Sequence, residues 1–215
     1  MSFLNQLKSQ AQTLQAQATA DQHTQAQQSE LVERVTHQIW RYLDELAAQL
    51  RVLQPDGPRL SVDGKTPWPA MRASDFRVDA RRKSVQGKEL FDYVVMGWKL
   101  TPKMGVVVQG SVSSVLLAET EKIESRLHAA QVKFERTEKR VPPRNALQSV
   151  RHDYQTEARA SVRVQPNHAT GTLEFSLACV TGMDPAKKAL SAQAFQAPML
   201  DELAKLIVGQ PSTFL

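Results

Sequence analysis

From Met1 to Ser29 the chain has neither glycine nor proline and only two charged residues, Lys8 and Asp21, while glutamine fills nine positions and alanine five. Such a stretch has nothing to break a helix and little apolar surface with which to pack one. From Glu30 to Gln54 the helical spacing continues and gains an apolar stripe of Val32, Val35, Ile39, Leu43, Leu46, Leu50 and Leu53, with Trp40 and Tyr42 on its flanks. The first quarter therefore reads as one long or jointed helix. Pro55-Asp56-Gly57-Pro58 ends it, because proline cannot continue a helix and Asp-Gly supplies a turn.

Within the first segment Leu4, Leu7, Ala11, Leu14 and Ala18 follow spacings of three and four and form a candidate interaction seam. Asp21, Gln25 and Gln28 take the next seam positions and break it. A helix with so short a seam buries little surface alone, so it either frays or pairs with a partner. Three units follow: a Gln/Ala-rich arm over 1–29, helical or partly disordered, an amphipathic helix over 30–57, and one α+β domain over 58–215.

Beyond the Pro-Gly break the period changes from helical to alternating. Phe76, Val78 and Ala80 alternate with Asp75, Arg77, Asp79 and Arg81, as in a half-exposed strand. After a turn around Gln86-Gly87, Leu90 to Leu100 is apolar in both alternating sets and predicts a central strand, and Met104 to Val112 predicts a third antiparallel strand beside it. Trp68, held between Pro67 and Pro69, is expected to plug an edge of the core.

Leu116, Thr120, Ile123, Leu127 and Ala130 return to helical spacing, with Ser113 or Ser114 placed to cap the start. Val132 to Glu138 is read as a strand, a continuation of the helix through Phe134 being the alternative. Residues 144–157 are expected to be a loop or short edge strand. Ala158 to Val164 and Leu173 to Cys179 alternate across a Pro166-Asn167-His168 turn and predict a hairpin. Met199, Leu200, Leu203, Leu206 and Ile207 predict a closing amphipathic helix stopped by Gly209 and Pro211. The expected fold is α+β: a long N-terminal helix, an antiparallel sheet of about six strands, one inserted helix and a C-terminal helix.

A formal net charge of +5 hides an asymmetry. Residues 1–57 hold four Lys/Arg against six Asp/Glu, whereas residues 58–215 hold 23 against 16. The basic excess belongs to the α+β domain, where it suits anionic partners and serves solubility equally well. Cys179 is the only cysteine, so no intrachain disulfide can form. The first thirty residues lack the basic start and apolar run of an export signal, and no run approaches the length of a membrane span. A cytoplasmic protein without a membrane span is the expectation.

Chemistry-bearing motifs are sparse. His23, His37, His128, His152 and His168 show no paired ligand spacing, so neither a metal nor a cofactor is expected. His152 beside Asp153 is no acid–base pair, since neighbours on a strand face opposite ways, and it reads as a surface histidine. Gly105 and Gly110 have phosphate-loop spacing, but Ser111 stands where that motif requires lysine. Cys179 shares the apolar set of Leu173, Phe175 and Leu177 and reads as buried.

One constellation remains. Arg77 and Arg81 share a strand face, Arg82 and Lys83 follow, and Arg159 and Arg163 share the exposed face of another strand. If those strands are neighbours, the guanidinium groups line one surface that could meet phosphates, although Asp75 and Asp79 stand on the same face. Lys139, Arg140 and Arg144 add a basic loop. The sequence thus points to a non-enzymatic binding or assembly module, acting through self-association or a protein partner at the arm. Two alternatives accompany it: nucleic-acid or polyanion binding at the arginine faces, and an apolar ligand cavity lined by Tyr93, Trp98 and Phe175.

Overall fold

The structure, a computed structural model, describes residues 3–85, 87–143 and 146–215, with side chains of the first helix from Thr24 onward. Helix α1 (Phe3–Leu53) runs unbroken through the first quarter of the chain. Val32, Val35, Thr36, Ile39, Leu43, Ala47 and Leu50 are its buried side chains, spaced three or four apart on one face. Leu53, in the last turn of the helix, lies outside the stripe expected to hold it and is exposed. Each large apolar side chain so covered contributes roughly 1.5–3 kcal/mol.

Among the described residues eight strands follow, divided between two sheets. β1 (Met71–Val85), β2 (Lys88–Pro102), β6 (Ala158–Asn167), β7 (Thr172–Ala178) and β8 (Ala186–Ser191) form an antiparallel sheet in the order β1-β2-β6-β7-β8. β3 (Gln109–Ser114), β4 (Phe134–Val141) and β5 (Ala146–Gln155) form a second, in the order β3-β5-β4. Helix α2 (Leu117–Ala129) precedes β4, and helix α3 (Pro198–Ile207) closes the chain. The α+β class and the placing of three helices agree with the alternation and breaker signals.

The arrangement of strands departs from expectation in three places. Met104 to Val108 is turn and extended chain, and β3 pairs with β5, so the third strand does not extend the β1–β2 hairpin. Thr101-Pro102-Lys103 carries the chain out of the first sheet and so separates them. Residues 146–155, expected as loop or edge, are instead the centre of the small sheet, recognised only through partners on both sides. β8, with lysines at 187 and 188, is an edge strand whose alternation is weak. At the start of α2 the first-turn groups are served differently from a serine cap: Ser114 Oγ accepts from the Leu116 amide and donates to Glu119, and Leu116 itself is exposed.

In the large sheet one face is apolar throughout. Phe91, Val94, Met96, Trp98, Leu100, Ala160, Val162, Val164, Leu173, Phe175 and Leu177 are buried under α1 and α3, joined by Leu200, Leu203, Ile207 and Phe214. A bulge at Asp75, where φ is +56°, lets Met71, Ala73 and Phe76 all face the core. A second irregularity near Asp92 does the same for Phe91 and Val94. Trp68 is buried and stacks on Tyr154 at 5.5 Å, so it plugs the seam between the two sheets.

A candidate binding face on the five-stranded sheet

With α1 and α3 on one side, the alternation along each strand sends the remaining side chains to the opposite face. The pairing registers lay them out in rows. Asp79, Val95, Arg163, Ser176 and Lys187 make one row, Arg77, Gly97, Ser161 and Ala178 the next, and Ser74, Lys99 and Arg159 a third. On the other side of the first row, Tyr93 stands opposite Arg81. β2 lies between β1 and β6, so the strands bearing Arg77/Arg81 and Arg159/Arg163 are not adjacent, yet all four arginines are exposed on one face.

Five cations of this face have carboxylate partners. Arg77 Nε lies 2.9 Å and Lys99 Nζ 3.3 Å from Asp75, whose carboxyl is held below its ordinary range by the Arg77 and then the Lys99 hydrogen bond. Lys83 lies 3.0 Å and Arg81 4.0 Å from Asp92, whose carboxyl is likewise lowered, first by Lys83. Lys187 Nζ is 2.9 Å from Glu174. Asp79 turns back to accept its neighbour Ala80's amide, and Asp75 meets Arg77 within β1 and Lys99 across to β2, so the expected cross-strand pairing of these two acids with the arginines is not made.

Among the described residues, Arg159 and Arg163 have no carboxylate within salt-bridge distance, and both stand on β6, the middle strand. Arg163 stacks its guanidinium 4.0 Å from the centre of the Tyr93 ring. Arg82 belongs elsewhere: it lies on the helix side, 4.2 Å over Phe91 and 3.5 Å from Glu33. The interaction seam Leu4, Leu7, Ala11, Leu14 and Ala18 and the loop residue Arg144 lie outside the residues whose side chains are described. Arg140 is bound to Glu138.

The other polar constellations are largely engaged internally, with His152 Nδ1 and Trp68 Nε1 the buried side-chain atoms left without a partner among the described residues. A cleft of about 330 Å³ lies between the 63–65 loop, β3 and α2. Its acids and its arginine are already engaged. Burial raises the Asp63 pKa, but hydrogen bonds from Thr66 and Lys65 amides and from the Ser61 and Thr66 hydroxyls outweigh that and bring it to about 2. Glu119 takes the Ser114 hydroxyl, and Arg126 donates to Asp184 and to the Val62 carbonyl.

His152, expected at the surface, is fully buried, because β5 is central and this side chain faces α2. Its Nε2 lies 2.9 Å from Glu124, whose carboxyl is lowered by that contact first and by Arg136. Asp153 faces the other way and binds Arg151, as the alternation requires. Cys179 is buried, and burial pushes its thiol up to about 12. Tyr93, Trp98 and Phe175 do not line a common cavity: Trp98 stacks on Phe76 and Phe175 on Phe214 in the core, while Tyr93 is on the opposite face. Among the described residues no group of three metal-ligating side chains converges, and no helix is long and apolar enough to cross a membrane. No family model, curated protein or solved structure matches this chain significantly.

Proposed function

We propose that the protein is a non-enzymatic binding module whose recognition surface is the open face of the five-stranded sheet and whose ligand is an extended polyanion, a single strand of nucleic acid being the form that fits. The observation that carries this reading is the placing of charge. Five cations of this face are held by carboxylates, while Arg159 and Arg163 on the central strand β6, like Arg72 on β1, have none within salt-bridge distance, and Arg163 feels only the longer-range charge of Asp92. About 13 Å of strand separates these two arginines, at roughly 3.3 Å per residue, enough to engage successive phosphates of one strand. The Arg163–Tyr93 pair adds a flat surface on which a base can stack.

The test is binding of a fluorescent single-stranded oligonucleotide across a salt series. Affinity should fall steeply with salt, and Arg159→Ala with Arg163→Ala should lower the slope of log K against log salt by about 1.4, or 0.7 per phosphate contact. Binding that is absent, or that keeps its slope in the double variant, overturns the reading.

Self-association, or capture of a protein partner, through the helical arm is the second reading. The length of α1 favours it: 51 residues span about 77 Å at 1.5 Å each. Its contacts with the β6–β7 turn are made by Gln28 beside Gly171 and by Ser29, whose hydroxyl is 3.3 Å from His168, which lie midway along the helix. Leu7→Glu with Leu14→Glu in the full chain should then lower the mass measured by light scattering without changing thermal unfolding. An unchanged mass refutes it.

A further inference from the structure

We propose that β3 is a self-pairing edge, joining β3 of a second copy of this chain about a two-fold axis to make one continuous six-stranded sheet. This rests on an observation independent of the charged face and of the arm. From Met104 to Ala118 the chain has no charged residue. Within that run Met104, Val106, Val107, Val108, Val115, Leu116 and Leu117 are all exposed, Met104 by 89% and Val115 by 73%. They flank a strand that stands at the edge of its sheet.

Open sheet edges are normally guarded by charge, since their free amides and carbonyls invite another strand. The other three edges here follow that rule. β1 carries Arg77, Arg81 and Lys83, β8 carries Lys187 and Lys188, and β4 carries Arg136, Lys139 and Arg140. β3, reading Gln-Gly-Ser-Val-Ser-Ser, has no such guard. Its pairing also runs one residue past its own end: the Thr156 amide donates to the Val108 carbonyl in the register that pairs Gln109 with Gln155, and the Val108 amide donates to the Thr156 hydroxyl.

The occupant follows from symmetry. Two antiparallel copies related by an axis normal to the sheet pair a central residue with itself, because paired side chains must share a face. Centred on Ser111, Val107 meets Val115 and Val106 meets Leu116 of the other copy. Centred on Val112, Val108 meets Leu116, the last extended residue before α2. Either register lays apolar residues of one flank against those of the other, at both ends of the strand, so the segment is complementary to itself.

Light scattering coupled to size exclusion on the full chain tests this, together with Val106→Lys combined with Leu116→Lys and, separately, the arm variant Leu7→Glu with Leu14→Glu. A dimer of the natural chain that becomes monomeric with the lysines and persists with the arm variant is the expected result. A natural chain that stays monomeric at about 100 μM, a dimer indifferent to the lysines, or one lost only with the arm variant overturns the proposal. Amide exchange on the natural chain gives a reading that no variant can spoil by misfolding. The amides of Gln109, Ser111 and Ser113, which alternate with those directed to β5, should be protected at high concentration and exchange at least tenfold faster on dilution, and protection of these three independent of concentration refutes the pairing.

Discussion

Arg126 ties the inserted helix to both neighbouring loops, and replacing it measures what that junction is worth. Its side chain is only 10% exposed. Nε and Nη2 donate to the two Asp184 carboxylate oxygens, each at 2.8 Å, and Nη1 donates to the Val62 carbonyl at 2.8 Å. Arg126→Met keeps the apolar stem and removes only the donors. The loss then has two parts. Asp184 is 66% exposed and returns to water, so the ion pair contributes no more than about 1 kcal/mol. The Val62 carbonyl belongs to a residue that is 1% exposed and is left without this donor, at about 1–3 kcal/mol. The substitution should therefore cost about 1–4 kcal/mol, with the carbonyl as the larger part.

Asp184→Asn separates the two parts, since it leaves the Val62 bond in place and weakens only the carboxylate contacts. Its cost should be the smaller of the two. Equilibrium unfolding in urea, followed by tryptophan fluorescence with the slope checked for constancy, reads both. A loss below about 0.5 kcal/mol for Arg126→Met, or a larger loss for Asp184→Asn than for Arg126→Met, refutes this division of the energy.

Asp63 gives a pH signature. Its carboxyl is lowered from 3.8 to about 2, so its stabilisation is complete above pH 3.8 and is lost as pH falls through 2. Between pH 4 and pH 1 the natural chain should lose about 1 kcal/mol through this group once solvent screening is allowed for, an increment that Asp63→Ala should lack when urea unfolding is measured along that series. Gly110→Ala should destabilise by about 1–3 kcal/mol in the same assay, because an added Cβ meets the Tyr154 ring at 2.4 Å and that ring is fixed by its stack on Trp68. Unchanged stability there means the Tyr154–Trp68 pair is free to move. Cys179 should not react with a thiol reagent at pH 8 in the folded chain and should label at the unfolding rate, since its buried thiol titrates at about 12.

Local period carried far in this chain, and long-range pairing did not. The stripe from Val32 to Leu50, the two-sided apolar strand at Leu90–Leu100 and the hairpin around Asn167 are each written in spacing that neighbouring residues impose. β5 is not, because residues 146–155 mix Arg151, His152, Asp153 and Tyr154, and their burial comes from β3, β4 and α2 lying around them. The same ignorance of partners made His152 look exposed. The arginine faces were legible as strand faces, but their meaning depends on β2 standing between them and on the two bulges, at Asp75 and near Asp92, that turn acids toward the basic residues. Arg82 shows the limit most directly: the irregularity between Arg81 and Arg82 sends it to the helix side, one residue away from a cation on the open face.

An antiparallel sheet covered on one side needs polar residues on the other, but it does not need them basic, nor sorted by position. Here the sorting is the informative part. Arg77 and Lys187 lie toward the two edges and are each held by a carboxylate in an exposed pair, so displacing that partner offsets what a phosphate would gain by up to about 1 kcal/mol. Arg159 has no such partner within reach, and Arg163 has only the longer-range charge of Asp92. Equal numbers of charges removed from the two places should therefore have unequal effects: Arg159→Ala with Arg163→Ala should reduce oligonucleotide affinity at least tenfold at low salt, and Arg77→Ala with Lys187→Ala by no more than about threefold. Non-specific attraction to net charge would make the two double variants equivalent, and that equivalence would remove the reason for treating β6 as the axis of the binding face.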